Sequence, residues 1–86
     1  MMYQLRFRPG AKKELNKLAP QIYERVLVTL NELTQNPYIG KKLEGKDRGH
    51  YSVRVWPYRI IYLISKDILL VLIVRIAHRQ SVYKGL

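Results

Sequence analysis

The first regular pattern along the chain is an alternation. Over residues 3–8, Tyr3, Leu5 and Phe7 alternate with Gln4, Arg6 and Arg8, the period of a half-buried strand. Pro9-Gly10 ends it and opens a helix, because proline suits a first helical turn. Ala11, Leu15 and Leu18 then fall at i, i+4 and i+7 on one stripe, with Lys12, Lys13 and Lys17 largely off it. Pro20 breaks and restarts the chain. A second helix over about residues 21–34 stacks Ile22, Val26, Leu30 and Leu33 on one face, and Asn36-Pro37 terminates it.

Residues 38–49 have no clear period. Gly40, Gly45 and Gly49 are interspersed with Lys41, Lys42, Lys46 and Arg48, which reads as a basic loop with Leu43 as its buried anchor. Three strand patterns follow: Tyr51, Val53 and Val55 alternating with Ser52, Arg54 and Trp56; a run over 58–64 after Trp56-Pro57; and, past a Ser65-Lys66-Asp67 turn, a run over 68–76. The last run is apolar on both faces, as a strand in the middle of a sheet should be. The order β-α-α-β-β-β predicts an α+β fold over residues 1–86, a single domain. Its largely antiparallel sheet carries two N-terminal helices packed on one face.

A tight turn at Trp56-Pro57 places Arg54 opposite Arg59 on one face of the resulting hairpin. Two like charges directly opposed are unfavourable by a few tenths of a kcal/mol or more, so they either splay into water or converge on an anion. A phosphate would accept bidentate hydrogen bonds from such a pair. The C-terminal segment Ile76-Ala77-His78-Arg79-Gln80-Ser81-Val82-Tyr83 turns polar as it leaves the last strand, and hangs His78, Arg79 and Tyr83 over that same face in this reading.

Composition narrows the chemistry. In 86 residues, 16 Lys+Arg against 6 Asp+Glu give a formal charge of +10, which calls for a polyanionic partner: RNA, DNA or an acidic protein. With no cysteine and two histidines, neither a disulfide framework nor a metal cage is expected, and no cofactor is called for. The start lacks the apolar region of a signal peptide, and the longest apolar run, residues 68–74, falls far short of the roughly 20 residues of a membrane span. A cytoplasmic protein with no membrane partner is expected.

The chain resembles the RelE/ParE toxin superfamily. The resemblance rests on the element order, on Arg6-Phe7, Lys42-Leu43-Glu44-Gly45, Tyr51-Ser52-Val53-Arg54-Val55 and Tyr58-Arg59-Ile60-Ile61-Tyr62, and on the ending His78-Arg79-Gln80-Ser81-Val82-Tyr83. The Tyr-Arg strand followed by His-Arg and a late tyrosine favours the RelE branch, ribosome-dependent mRNA endonucleases, over the ParE branch, which inhibits DNA gyrase. The resemblance implies a type II toxin that cleaves mRNA in the ribosomal A site and is neutralised by an acidic, RelB-like antitoxin. It matches Arg54 to a basic position on the family's second strand, Arg59 to the arginine after the aromatic on the third, Arg79 to the arginine after the last strand, and Tyr83 to the C-terminal tyrosine. Some members carry a basic residue two positions before that of Arg54. Here that place is Ser52, which weakens a lysine-based proton relay and raises the importance of His78. A degenerate toxin or non-catalytic RNA-binding module is a third reading.

Independently of family, RNA is cut without a metal when its own 2′-hydroxyl attacks the adjacent phosphorus. The reaction needs a proton acceptor, positive charge on the phosphorane oxygens and a donor to the leaving 5′ oxygen. Arg54 and Arg59 suit the charge role. Arginine is a poor proton carrier, with a pKa above about 12. Proton transfer therefore falls to His78 or Tyr83. Tyr83 alternatively stacks on a base to hold the RNA in line. Lys12, Lys13, Lys17, Lys41, Lys42, Lys46 and Arg48 are candidate contacts to ribosomal RNA phosphates.

Overall fold

The computed structural model describes residues 2–84. Its elements are β1 (Gln4–Phe7), α1 (Pro9–Asn16), α2 (Pro20–Gln35), β2 (Lys41–Lys42), β3 (Tyr51–Val55), β4 (Tyr58–Ser65) and β5 (Leu70–His78), with short 3-10 turns at Pro37–Ile39 and Gly45–Asp47. Both helices begin on proline, whose fixed φ is already helical and whose missing N–H would have had no partner there. The residue before Pro20, Ala19, is extended, as proline demands of its predecessor. Asn36 stops α2 in an extended conformation, and its side-chain oxygen accepts the Tyr38 N–H at 3.1 Å, seating the next turn.

The sheet is five-stranded, in the order β1-β5-β4-β3-β2. It is largely antiparallel, as expected, with two features that the sequence pattern does not reveal. The outer strand β1 runs parallel to β5, with Phe7 beside Ile73, which makes the sheet mixed. The basic loop also contains a strand: β2 pairs antiparallel with β3, Lys41 beside Ser52 and Lys42 beside Tyr51. Two residues are too few to show a period, which is why the sequence pattern hides them. The final strand begins later than its apolar run, because Ile68 is exposed in the turn and Leu69 adopts a positive φ of 53°.

One face of the sheet packs under the helices. Val55, Ile60, Tyr62, Val71, Ile73 and Ile76 meet Ala11 and Leu15 of α1 and Val26, Leu30 and Leu33 of α2 in the main core. Each such large aliphatic side chain contributes about 1.5–3 kcal/mol on burial. The opposite face carries a smaller cluster, Ile61, Ala77 and Val82, with Leu43 and Val74 against it. Leu43 thus anchors its loop as expected, half-buried rather than fully so. Val82 is fully buried there, so the chain after β5 folds back over the sheet instead of continuing away from it.

Where β1 ends, the edge of β5 loses its strand partner. Glu14 of α1 replaces it: its carboxylate accepts the Ile76 N–H at 2.8 Å and the Arg75 guanidinium at 3.0 Å. Glu14 lies at i+3 from Ala11, on the same side of α1 as the apolar stripe, which turns its carboxylate toward the sheet.

Candidate functional site

The β3–β4 hairpin has the register expected from its turn, with Arg54 directly opposite Arg59 and Val55 opposite Tyr58. Cross-strand partners share a face, so both arginines project to the side away from the helices. They line an open hollow of about 340 Å³, within the size range of small-ligand sites. Lys41 of β2, Ser52 of β3 and Tyr83 of the C-terminal segment line it as well, over an apolar wall that includes Leu43. Ser52 is buried, and its hydroxyl accepts a long, 3.4 Å hydrogen bond from Arg59, which steers that guanidinium along the face. Three cations and no carboxylate line this hollow among the described residues. An arrangement of that kind repels itself until an anion sits in it.

Backbone contacts shape the rim. The Tyr62 hydroxyl, buried beneath β2, donates to the Pro37 carbonyl at 2.6 Å and accepts the Gly40 N–H at 3.1 Å. Burial pushes the Tyr62 phenol up to about 12, opposed in part by the Gly40 N–H. A Cβ on Gly40 would lie 2.3 Å from that hydroxyl and 2.9 Å from the Ser52 carbonyl oxygen, so only glycine lets the chain enter β2 this close to the sheet.

Tyr83 reaches the hollow because the C-terminal turn is tied down. The Ser81 N–H donates to the His78 carbonyl and the Lys84 N–H to the Ser81 carbonyl, while Val82 fills the second cluster. Arg75 holds the turn from below. Its guanidinium donates to the Ser81 carbonyl at 3.1 Å, to the Lys84 carbonyl, and to Glu14. Arg75 therefore latches the segment that carries Tyr83.

The remaining expected site residues separate. His78 pairs with Tyr58 and Arg59 with Ala77. His78 therefore belongs to the helix-side face, its ring 5.8 Å edge-on from Tyr58 and its Nδ1 accepting the Gln80 N–H. It does not line the hollow, which corrects its expected place beside the arginines; a one-residue offset along a strand reverses the face. Arg79, two residues beyond Ala77, keeps the parity of the arginine face but stacks on Trp56 at the hairpin tip, 4.8 Å from the ring centroid. The basic residues expected to meet ribosomal RNA are likewise dispersed. Lys41 is in the hollow, Lys12 and Lys13 lie on α1 with Lys12 over the Phe7 ring, Lys17 caps the end of that helix, and Lys42, Lys46 and Arg48 are exposed on or near β2. A larger hollow of about 670 Å³ lies beside the start of α1, but Glu14 and Arg75 in its lining already satisfy each other.

A small mixed sheet with two helices on one face is a fold shared with solved toxin structures. The family described as the ParE toxin of type II toxin–antitoxin systems matches residues 5–83, and the chain belongs to that family, within the RelE/ParE superfamily. It is 34% identical over 86 residues to the toxin RelG of Mycobacterium tuberculosis, covering 98% of this chain and 99% of that protein. It is 32% identical over 82 residues to a RelE-like toxin protein of Escherichia coli. Among solved structures, the toxin–antitoxin complex RelBE2 of M. tuberculosis superposes with a TM-score of 0.84 at 33% identity, over 92% of this chain and all of the matched one. The intact RelBE complex of E. coli superposes with a TM-score of 0.77 at 28% identity, over 88% and 95%. The protein is thus a type II toxin with a RelE-like fold, and no helix among its described residues is long and apolar enough to cross a membrane.

Proposed function

We propose that this toxin is a ribosome-dependent endoribonuclease that cuts mRNA in the A site and so stops translation. The observation that carries the reading is the placement of Arg54 opposite Arg59 in a hollow lined by no acid among the described residues. That site has the charge and size to hold one RNA phosphate as it becomes a phosphorane. The adjacent 2′-hydroxyl supplies the nucleophile. Tyr83, exposed at the hollow's edge, stacks on a flanking base and fixes the in-line geometry. Arg79, held on Trp56, meets a neighbouring phosphate rather than the reacting one. Lys12, Lys13 and Lys17, together with Lys42, Lys46 and Arg48, add salt-sensitive contacts to ribosomal RNA. Orientation by the ribosome makes so small a set of groups sufficient.

An acidic, RelB-like antitoxin is the partner that fits a formal charge of +10, by covering the cationic face and excluding RNA from it. A cytoplasmic site of action follows from this target.

The test is cleavage of a defined mRNA on programmed ribosomes, run beside the same mRNA without ribosomes. Cuts confined to the A-site codon are expected, with none on naked RNA. Arg59→Ala should slow the reaction by about 10²–10³, the usual cost of one preorganised charge donor. Uncut mRNA from the intact chain would overturn the reading. The family match to ParE toxins favours a second one, inhibition of DNA gyrase without RNA chemistry, and the absence of His78 from the hollow agrees with it. Blocked gyrase supercoiling with mRNA left intact would select that alternative.

A further inference from the structure

The proposed cleavage needs a proton for the departing 5′ oxygen, and the hollow limits which side chains can supply it. Arg54 and Arg59 line it but hold their protons too firmly to release them. His78 lies on the other face of the sheet. The Ser52 hydroxyl is buried beneath the Arg59 guanidinium. Among the described residues of the lining, Tyr83 and Lys41 remain able to give up a proton.

Lys41 is the better placed as a donor. It is the direct cross-strand partner of Ser52, so its side chain shares the face from which Ser52 meets Arg59. Its strand is short, yet its position is defined, because the Gly40 N–H immediately before it is bonded to the buried Tyr62 hydroxyl. An ammonium also brings the charge that a phenol lacks, and so favours the dianionic phosphorane while it donates.

We infer that Lys41 is the general acid of the cleavage reaction, a role that rests on the endoribonuclease reading above. The 2′-hydroxyl gives its proton to solvent water as its oxygen bonds to phosphorus. The bond from phosphorus to the 5′ oxygen breaks, and the electron pair left on that oxygen takes a proton from the Lys41 ammonium. The products are a 2′,3′-cyclic phosphate and a 5′-hydroxyl, and the neutral amine regains its proton from solvent.

The test uses two mRNAs on programmed ribosomes under single-turnover conditions, one with the ordinary 5′ oxygen at the scissile position and one with a bridging 5′ sulfur. A thiolate leaves without protonation, so the sulfur substrate has no requirement for a general acid. Lys41→Arg keeps the positive charge and Lys41→Ala removes it; the site is exposed, so neither change should unfold the chain. Both variants should lose about 10²–10⁴-fold on the oxygen substrate, the range typical of general acid–base catalysis. On the sulfur substrate Lys41→Arg should cleave within a few-fold of the unmutated chain, whereas Tyr83→Phe should show the same relative rate on both substrates. Equal losses for Lys41→Arg on the two substrates, an unaffected rate on oxygen, or sulfur rescue of Tyr83→Phe instead would each overturn the assignment while leaving the nuclease reading intact. Failure of the unmutated chain to cut either mRNA would instead remove the nuclease reading, and the assignment with it.

Discussion

Gly40→Ala tests how the entry to β2 is built. The added Cβ would sit 2.3 Å from the Tyr62 hydroxyl and 2.9 Å from the Ser52 carbonyl oxygen, both well inside contact distance. Tyr62 is fully buried and cannot swing aside, and the Ser52 oxygen is sheet backbone, so the chain at Gly40 must move outward. That movement breaks the 3.1 Å bond from the Gly40 N–H to the hydroxyl. Overpacking of this kind costs about 1–3 kcal/mol. The disrupted hydrogen bond adds about 1 kcal/mol. A loss of about 2–4 kcal/mol is therefore expected by urea denaturation. Tyr62→Phe removes the closest obstacle, and also leaves the Pro37 carbonyl without its 2.6 Å donor, for about 1–3 kcal/mol. On that background Gly40→Ala should cost at least about 1 kcal/mol less than in the unmutated chain, because the two sites share one contact. Identical costs in the two backgrounds would refute the argument that the hydroxyl is what Gly40 must avoid.

Glu14→Ala strips the edge of β5 of its acceptor, leaving the Ile76 N–H and Arg75 without it. A loss of about 1.5–3 kcal/mol is expected from the hydrogen bonds to a charged group, measured by thermal unfolding, with Glu14→Gln losing less. Arg75→Ala should release the C-terminal turn, raising amide exchange at Ser81–Lys84 and slowing cleavage through Tyr83 while the main core stays protected. The raised phenol of Tyr62 gives an alkaline signature. Because its folded value of about 12 exceeds the ordinary 10.0, its stabilising contribution is complete below about pH 10 and is lost as pH rises through 12. Stability measured across that window should fall less steeply in Tyr62→Phe than in the unmutated chain.

Much of the fold is legible in the sequence because its signals are local. The 3.6-residue stripes of Ala11–Leu15 and Val26–Leu30–Leu33 and the turn at Trp56-Pro57 place both helices and the hairpin, and the Arg54–Arg59 pairing follows from the turn alone. What the sequence hides is long-range. The parallel pairing of β1 with β5 joins residues more than sixty positions apart, and nothing in the alternation of either strand records its neighbour's direction. The two-residue β2 owes its existence to a buried hydroxyl on β4 and a glycine beside it. The place of His78 turns instead on local strand parity. Proximity in sequence to Arg79 suggested a shared site, whereas strand geometry sends successive side chains to opposite faces. The partnership of Glu14 with Arg75 likewise emerges only once α1 lies along β5.

The proposed cleavage depends on Arg54 and Arg59 acting together on one phosphate. Single-turnover cleavage on programmed ribosomes by the unmutated chain, Arg54→Ala, Arg59→Ala and the double variant tests it most directly. Joint action predicts that the double variant loses at least about 1 kcal/mol less than the sum of the single losses in transition-state stabilisation. Losses that add to within about 0.5 kcal/mol would show two independent contacts, and would contradict a shared anion site between the strands.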